Sequence, residues 1–370
     1  MRKGITNSGK CFYIYPKIRP MRIIGFLLLL FLFSYCSGDK KDTAREFTYI
    51  EMERFYTDSV SIRAIVPVDG NKVWFAGTMG KVGLLDGKTP RIAVIRYEDS
   101  LMHFRSIAKT QHAVFVLSIA NPAVLYKIGF DGLEATSIEE VYFEEGEGVF
   151  YDAMQFWDDR EGIAMGDPVE GCLSIIITRD GGNNWEKLSC DFLPKTEEGE
   201  AAFAASNSNI AVYGNHTWIV SGGKRARVFY SPDRGRNWEV YDTPIIEGGR
   251  MTGIYSVDFY DENTGIVFGG NWEKMHDNKS NKAITEDGGK TWKLLSEGKG
   301  PGYRSSVRFI PGGGGDEIVA AGSQGISYSN DRGENWNELS REGVFAIEFV
   351  NDSIAFASGN NKVLRLVFKE

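Results

Sequence analysis

Short apolar runs recur along the chain, and each leads through a polar turn to a second apolar run that ends in glycine or serine. The first runs begin at Arg63, Arg105, Asp152, Phe203, Tyr255, Ser305 and Phe345. Apolar runs of this length between turn residues are typical of β-strands. No helical periodicity of useful length appears beside them. The pattern predicts an all-β protein built from seven repeated units.

The spacing of the seven units is close to the period of about 40–50 residues that a four-stranded propeller blade needs. We therefore predict a seven-bladed β-propeller of four-stranded antiparallel blades, forming one domain over residues 46–370. After Phe345 the chain has room for only about three strands. The alternating segment 47–56 can supply the missing outer strand. An N-terminal strand in the last blade would close the ring and cover its exposed sheet edges.

A second repeat has the form Ser/Thr-x-Asp-x-Gly-x-x-Trp. It occurs four times, with its aspartate and tryptophan at Asp180 and Trp185, Asp233 and Trp238, Asp287 and Trp292, and Asp331 and Trp336. A short acidic side chain can accept hydrogen bonds from the amides of its own turn, and glycine can take a positive φ. Tryptophan can pack against neighbouring strands. We expect these four turns to have a structural role and no catalytic one.

The four turns resemble Asp-boxes, also called BNR repeats, which sialidases, sortilin-type receptors and related β-propellers share. A closer resemblance covers nearly the whole propeller region. Segments 150–158, 162–169, 199–206 and 302–305 look like a family of secreted bacterial propellers that is similar to the photosystem II assembly and stability factors. That resemblance implies a scaffold that recognises a polypeptide or another partner through an arginine-lined surface. Its arginines would correspond to Arg63, Arg105 and Arg304.

Members of that family are often labelled oxidoreductases, but the chain offers no support for redox chemistry. It has no glycine-rich dinucleotide fingerprint between a strand and a helix, and no haem or iron–sulfur cysteine pattern. Its four histidines are scattered without the spacing of metal ligands. We expect no cofactor and no metal site.

Ionisable residues stand at equivalent places where the inner strands begin, near the mouth of the predicted channel. We interpret them, with one loop aspartate, as a ligand-binding funnel formed by Arg63, Arg105, Asp152, Asp167, Tyr255 and Arg304. Arginine forks bind carboxylates or phosphates through paired hydrogen bonds. Alternatively, the arginines and acids could pair with each other and fill the channel.

A second hypothesis is a glycan-active hydrolase or lyase of sialidase-like propeller type. Its catalytic groups would be drawn from Asp152, Asp167, Glu200 and Tyr255. Glycoside hydrolysis needs two such groups on either side of one sugar bond. The order of arginines, acids and tyrosine along this chain does not reproduce the sialidase arrangement, and an early Phe/Tyr-Arg-Ile-Pro segment is missing. A non-catalytic binding protein is therefore the favoured interpretation.

Two cysteines flank the hairpin that contains the first repeated turn. If the hairpin is centred on Gly181, Cys172 and Cys190 lie opposite each other on adjacent strands and could form a disulfide. A shift of the turn by one residue would instead point their side chains to opposite faces of the sheet. The pattern leaves both arrangements open.

The N-terminus has the features of an export signal. Segment 23–33 is apolar, follows basic residues, and is too short to span a membrane. Cys36 follows it and resembles the lipidated cysteine of a bacterial lipobox, although Tyr35 replaces the usual small residue. We predict a signal over residues 1–36, lipidation of Cys36, and a linker over residues 37–45. The protein would then be a cell-envelope lipoprotein, in the periplasm or at the outer membrane, or would be secreted.

The charge of the chain limits its partners. The formal net charge is −8, and the first 35 residues contribute six basic groups and no acidic ones, so the remainder carries −14. Nucleic-acid binders depend on basic residues that neutralise phosphates, which makes this class a poor fit. We expect a protein or glycan partner, contact with a membrane only through a lipid anchor, and a monomer by analogy with other single-domain propellers.

Overall fold

In the computed structural model, residues 45–370 form an all-β fold, and the structure describes these residues. The predicted signal over residues 1–36, its Cys36, and all of the predicted linker except residue 45 lie outside the described residues. Seven blades of four antiparallel strands form the fold: six are four-stranded sheets, and the remaining one is part of a six-stranded sheet. Within residues 45–370 the only helical element is a single 3-10 turn, Trp272–Lys274. The predicted all-β, seven-bladed propeller is confirmed.

The strands follow one another blade by blade. The N-terminal strand and the first three blades contain β1 (Tyr49–Tyr56); β2 (Ile62–Asp69), β3 (Lys72–Gly77), β4 (Lys81–Asp86) and β5 (Thr89–Val94); the short hairpin β6 (Arg96–Tyr97) and β7 (Ser100–Leu101); β8 (Phe104–Lys109), β9 (Ala113–Ser118), β10 (Ala123–Asp131) and β11 (Glu134–Glu144); β12 (Tyr151–Phe156), β13 (Gly162–Val169), β14 (Cys172–Thr178) and β15 (Glu186–Lys187).

The remaining four blades continue in the same manner. They contain β16 (Glu200–Ala201), β17 (Ile210–Tyr213), β18 (His216–Val220), β19 (Gly222–Gly223), β20 (Arg227–Ser231) and β21 (Glu239–Asp242); β22 (Thr252–Phe259), β23 (Gly265–Asn271), β24 (Lys282–Thr285) and β25 (Lys293–Leu294); β26 (Ser306–Phe309), β27 (Ile318–Gly322), β28 (Gly325–Ser329) and β29 (Asn337–Ser340); β30 (Ala346–Phe349), β31 (Ile354–Gly359) and β32 (Lys362–Lys369). Blade four consists of β17, β18, β20 and β21, while β16 and β19 extend the sheet of blade five.

The inner strands form a closed cycle. Each of β2, β8, β12, β17, β22, β26 and β30 contacts the next inner strand, and β30 contacts β2. The last blade has the order β30-β31-β32-β1, and β1 pairs antiparallel with β32 from Tyr49 opposite Lys369 to Tyr56 opposite Val363. The N-terminal strand therefore completes blade seven, as the alternating pattern of segment 47–56 predicts.

The hydrophobic core consists of clusters that lie between successive blades. Ile163 and Ile177 of blade three, for example, pack with Ile219 and Phe229 of blade four. Complete burial of such a side chain contributes about 1.5–3 kcal/mol to stability. Each blade thus packs one face of its sheet against the preceding blade and the other face against the following blade.

The four repeated turns join the third and fourth strands of blades three to six. In the first of them, Asp180 Oδ1 accepts hydrogen bonds from the amides of Asn183 and Asn184, both at 3.0 Å. The Thr178 hydroxyl accepts from the amide of Gly182, which has a φ of 75°. Trp185 is buried, whereas the tryptophans of the other three turns are only partly buried. Each turn therefore satisfies its own backbone amides.

Cys172 and Cys190 are joined by a disulfide with a Cα–Cα distance of 5.6 Å. The strand register is nevertheless one residue away from the one used to align them, because Ile176 pairs with Lys187. Strand β15 ends at Lys187, so the alternation of side chains no longer holds at Cys190. The expected register is wrong, and the irregular chain after β15 brings the two sulfur atoms together.

Blade four also departs from the sequence pattern. The pattern begins its inner strand at Phe203, whereas the structure begins β17 at Ile210. Residues 203–209 are buried but lie outside the regular strands.

In the part of the chain that the structure describes, no helix is long and apolar enough to cross a membrane. The same part contains no group of three or more His, Cys, Asp or Glu side chains arranged to hold a metal ion.

Candidate functional site

The start of four inner strands carries the same local irregularity. Arg63, Arg105, Asp152 and Tyr255 are each the extra residue of a β-bulge between the first and second strands of their blade. A bulge re-aims the side chain of its extra residue. The repeated first residue of the apolar runs is thus a repeated bulge position at one end of the channel.

Glycine opposite the bulge makes this backbone geometry possible in several blades. A Cβ atom on Gly166 would lie 2.0 Å from the carbonyl oxygen of Phe150, and one on Gly269 would lie 1.9 Å from that of Gly253. Neither distance is compatible with a side chain. The glycine that ends the second apolar run therefore lets the inner strand approach closely.

A cavity of about 430 Å³ opens at this end of the channel. The cavity lies on the face of the propeller where the first strand of each blade begins. The third strand runs in the same direction as the first and ends at the opposite face, where the repeated turns lie. We call this cavity the mouth cavity. Its wall includes three arginines and five aromatic residues, namely Arg63, Arg105, Arg250, Phe150, Phe203, Tyr255, Trp272 and Tyr303.

Two of these arginines are held by backbone carbonyls and not by acids. Arg63 Nη1 donates to the carbonyl oxygen of Ala205 at 3.1 Å, and Arg105 Nη1 donates to that of Ala204 at 3.2 Å. The Arg63 guanidinium also lies 4.1 Å from the ring centre of Phe345. Within residues 45–370 neither arginine has a carboxylate within 4 Å, and neither Nε has a hydrogen-bond partner.

Burial disfavours the charged form of both arginines. It lowers the pKa of Arg63 to about 10, with a further contribution from the nearby Arg105. Burial also lowers the pKa of Arg105, an effect that the negative charge of Asp152 opposes. Both guanidinium groups stay protonated at neutral pH. The mouth cavity therefore contains two positive charges that are largely withdrawn from water.

The three acids predicted for the site have different environments. Asp167 lines the mouth cavity, and its Oδ1 accepts from the amide of Ala202 at 2.8 Å. Asp152 is fully buried outside the cavity wall, and neither of its carboxyl oxygens has a partner among residues 45–370. Glu200 forms a buried ion pair with Arg227, whose Nε donates to Glu200 Oε1 at 3.1 Å.

Burial raises the pKa of Asp152 well above its usual range, and the charge of Asp167 raises it further while Arg105 lowers it. Burial also raises the pKa of Asp167, although the amide of Ala202 opposes this change. The two aspartates thus favour the protonated form more than exposed carboxyls do. The mouth cavity therefore combines its arginines with one aspartate, Asp167, whose carboxyl loses its proton less readily than an exposed one.

Tyr255 belongs to the aromatic wall. Its ring stacks on that of Phe203 with ring centres 4.0 Å apart and an angle of 6° between the planes, and Tyr303 approaches it edge-on. Its hydroxyl donates to the carbonyl oxygen of Met251 at 3.0 Å. Burial raises the pKa of this hydroxyl. Tyr255 is therefore well placed to pack against an apolar group and poorly placed to act as a nucleophile.

Residues 203–205 form one side of the mouth cavity, and residues 206–209 continue the same irregular, buried segment. The Asn207 side chain accepts from the amide of Met154 at 3.0 Å and donates to the carbonyl oxygen of Ile107 at 2.9 Å, so it joins blades two and three. Sequence reasoning assigned this segment to an inner strand and missed its role. The run of alanines before a serine- and asparagine-rich stretch is the signal that distinguishes it from the other inner strands.

Arg304 does not line the mouth cavity with Arg63 and Arg105. Its neighbour Tyr303 faces that cavity, whereas Arg304 lines a separate cavity of about 500 Å³ beside blade six. The predicted trio of arginines is therefore divided between two sites. Sequence reasoning also missed Arg250, an exposed residue that lines the mouth cavity together with Trp272.

Comparison with known protein families finds no match for this chain. Comparison with curated proteins finds none either. Among solved structures, the chain is similar to YCF48 bound to D1 peptide, with 15% identity, a TM-score of 0.62, and coverage of 88% of this chain and 99% of that one.

Two further solved structures share the architecture. A structure of YCF48 from Cyanidioschyzon merolae is 15% identical, with a TM-score of 0.57 and coverage of 86% of this chain and 98% of that one. A streptogramin B lyase is 12% identical, with a TM-score of 0.63 and coverage of 88% of this chain and 100% of that one. At these identities the likeness concerns the propeller fold.

Proposed function

We propose that this protein is a non-catalytic propeller that binds a polypeptide in the mouth cavity, and that an acidic group of the polypeptide contacts Arg63 and Arg105. The observation that carries the proposal is the pair of partly buried arginines without a carboxylate partner. A buried positive charge is costly unless it is paired. An anionic group of a ligand would complete both guanidinium forks through charge-assisted hydrogen bonds.

The aromatic wall favours a polypeptide over a small inorganic anion. Phe203, Tyr255 and Trp272 offer flat apolar surface beside the arginines, which suits the side chains that flank an acidic group. The similar fold of YCF48, which has been solved with a bound D1 peptide, supports the same class of ligand.

The four repeated turns fit the Asp-box motif, and we assign them a purely structural role.

The glycan-active alternative has less support. Two-carboxyl hydrolysis needs a pair of acids on opposite sides of the substrate. Of the acids considered, only Asp167 lines the mouth cavity, because Glu200 is paired with Arg227 and Asp152 is buried. The Tyr255 hydroxyl donates to the backbone.

We also propose that the propeller works outside the cytoplasm. The apolar segment 23–33 and the cysteine that follows it support export and lipidation at Cys36. A Cys36→Ser variant should then move from the membrane fraction to the soluble envelope fraction. Retention of the variant in the membrane fraction would count against the lipid anchor.

The binding proposal can be tested with a bead-bound library of random peptides that end either in a free carboxylate or in an amide. Peptides selected by the wild-type protein are measured again with Arg63→Gln and Arg105→Gln. Loss of one charge-assisted contact should weaken binding by about tenfold or more. Arg96→Gln, at an exposed arginine outside the cavity, is the matched control. Selected peptides that bind both cavity variants as tightly as wild type would refute the proposal.

A further inference from the structure

A second cavity lies beside the mouth cavity, on the same end of blade six. The loop 270–277, an insertion after the second strand of blade five, contributes to the walls of both. Trp272 of this insertion lines the mouth cavity, whereas Met275 and His276 line the second one. The insertion is fixed to the chain that enters blade six, because the amide of Tyr303 donates to the carbonyl oxygen of Met275 at 2.9 Å. We call this space of about 500 Å³ the blade-six cavity.

Arg304 is the buried charge of the blade-six cavity, with only 4% of its surface exposed. Its Nη1 donates to the carbonyl oxygen of Tyr303 at 2.9 Å, and its Nη2 donates to the Ser327 hydroxyl at 3.1 Å. A guanidinium has five N–H donors, so most of its capacity is unused. Its Nε has no partner among the described residues.

One acid of the cavity wall acts on Arg304 without forming an ion pair with it. Glu338 also lines the cavity, but its Oε1 accepts from the Nε of the exposed Arg341 at 2.7 Å. Within residues 45–370 no carboxylate lies within 4 Å of the Arg304 guanidinium. With two arginines and one glutamate, the wall carries a net positive charge.

Two further donors of the wall have only a weak acceptor. The Ser323 hydroxyl and the Gln324 Nε2 both point to the Met275 sulfur, at 3.4 and 3.3 Å. A thioether sulfur accepts hydrogen bonds poorly compared with oxygen. Oxygen atoms of an anion in the cavity would be better acceptors for both groups.

We propose that the blade-six cavity binds a compact oxyanion, a carboxylate or phosphate group, with Arg304 as its buried positive charge and Ser323 and Gln324 as further donors. The site is separate from the mouth cavity. It does not depend on the function proposed above, because it needs no contribution from Arg63 or Arg105.

The test is calorimetric titration of the purified protein with inorganic phosphate and, separately, with acetate, both at constant ionic strength. Wild type should show saturable binding to one site for at least one anion. Arg304→Gln should weaken that binding by about tenfold or more, since it removes the charge-assisted contacts. Arg96→Gln, at an exposed arginine that lines neither cavity, should leave anion binding unchanged.

A second variant protects the test against misfolding of Arg304→Gln. Ser323 is exposed at the edge of the cavity, so Ser323→Trp should block the opening without disturbing the buried arginine. Binding of phosphate alone or of acetate alone supports the proposal and identifies the type of group. Absence of saturable binding for both anions, or wild-type binding by Ser323→Trp, would overturn it. Loss of binding in Arg105→Gln would place the anion in the mouth cavity instead and would overturn it as well.

Discussion

Asp258 should make the free energy of unfolding depend on pH in a way that one substitution can isolate. It lies on the inner strand β22, and its Oδ2 accepts from the amide of Phe309 at 2.7 Å. Burial raises its pKa to about 6, and the charge of Glu348 acts in the same direction. The charge of Arg308 and the amides of Phe309 and Phe259 oppose this change. Arg308 is itself bound to Glu348, with 2.9 Å between Nε and Oε2.

The size of the effect follows from the pKa values of the two states. A pKa of 3.8 in the unfolded chain and about 6 in the folded protein corresponds to a cost of about 3 kcal/mol for the ionised form. Since the folded state holds the proton more tightly, stability is highest below about pH 4 with respect to this group. It falls as the pH rises to about 6 and then levels off.

Asp258→Asn removes the charge and keeps an oxygen that can accept from the Phe309 amide. We expect the variant to be more stable than wild type by up to about 3 kcal/mol at pH 7.5, and equal to wild type near pH 4. Urea unfolding followed by tryptophan fluorescence at several pH values gives this difference directly. Asp131→Asn, at the exposed end of β10, should change stability by less than about 0.5 kcal/mol at every pH.

A difference between Asp258→Asn and wild type that does not vary with pH would refute this reasoning. So would a variant that is less stable than wild type at pH 7.5, because the carboxylate would then be stabilised by Arg308 more than burial penalises it. In that case the acid would belong to a favourable buried ion cluster.

Three further substitutions test the packing of the blades by chemical unfolding. Gly269→Ala should cost about 3 kcal/mol or more, or prevent folding, because its Cβ atom would collide with a neighbouring carbonyl. Gly70→Ala should be nearly neutral, because the closest atom to its Cβ would be 3.6 Å away. Equal effects of the two substitutions would contradict the bulge geometry. Trp185→Ala should cost about 3–5 kcal/mol, and a change within experimental error would contradict its burial. Replacing Cys172 and Cys190 by alanine should cost about 3 kcal/mol, since the disulfide closes a loop across 18 positions; unchanged stability in oxidising buffer would contradict a formed bond.

The blade count could be predicted from sequence because it depends on repetition. In each of the seven units a first apolar run leads through a polar turn to a second run that ends in glycine or serine, and these seven pairs are visible without knowledge of any contact. The final blade could be predicted for the same reason, since segment 47–56 alternates like a strand and the last unit lacks one.

The limits of the prediction appear where the chain leaves the regular pattern. The run beginning at Phe203 has the apolar character of an inner strand, but it forms the side of the mouth cavity, and β17 begins at Ile210. Apolar periodicity reports burial, and a buried irregular segment gives the same signal. The strand register predicted around the disulfide was wrong for a similar reason. The alternation that fixes the direction of side chains ends with β15 at Lys187, before Cys190 is reached.

The composition of the site was only partly accessible from sequence. The bulge positions at Arg63, Arg105 and Tyr255 could be aligned, and all three line the mouth cavity. Arg304 stands one residue before its equivalent position, and adjacent residues of an extended chain point in opposite directions. That single step places it in the blade-six cavity. The pairing of Glu200 with Arg227 depends on tertiary contacts, which no local pattern reveals.

The pairing of β1 with β32 sets an order of events for the folding of this protein. Tyr49 and Lys369 become neighbours only when almost the whole chain is available, so blade seven is the assembly step with the largest separation in sequence. Such contacts form slowly, because loop closure must precede any gain from them. A chain interrupted before β32 would leave β1 and β31 with unpaired edges that can recruit strands from other molecules. Truncation near the C-terminus should therefore cause aggregation, even though six blades could still form.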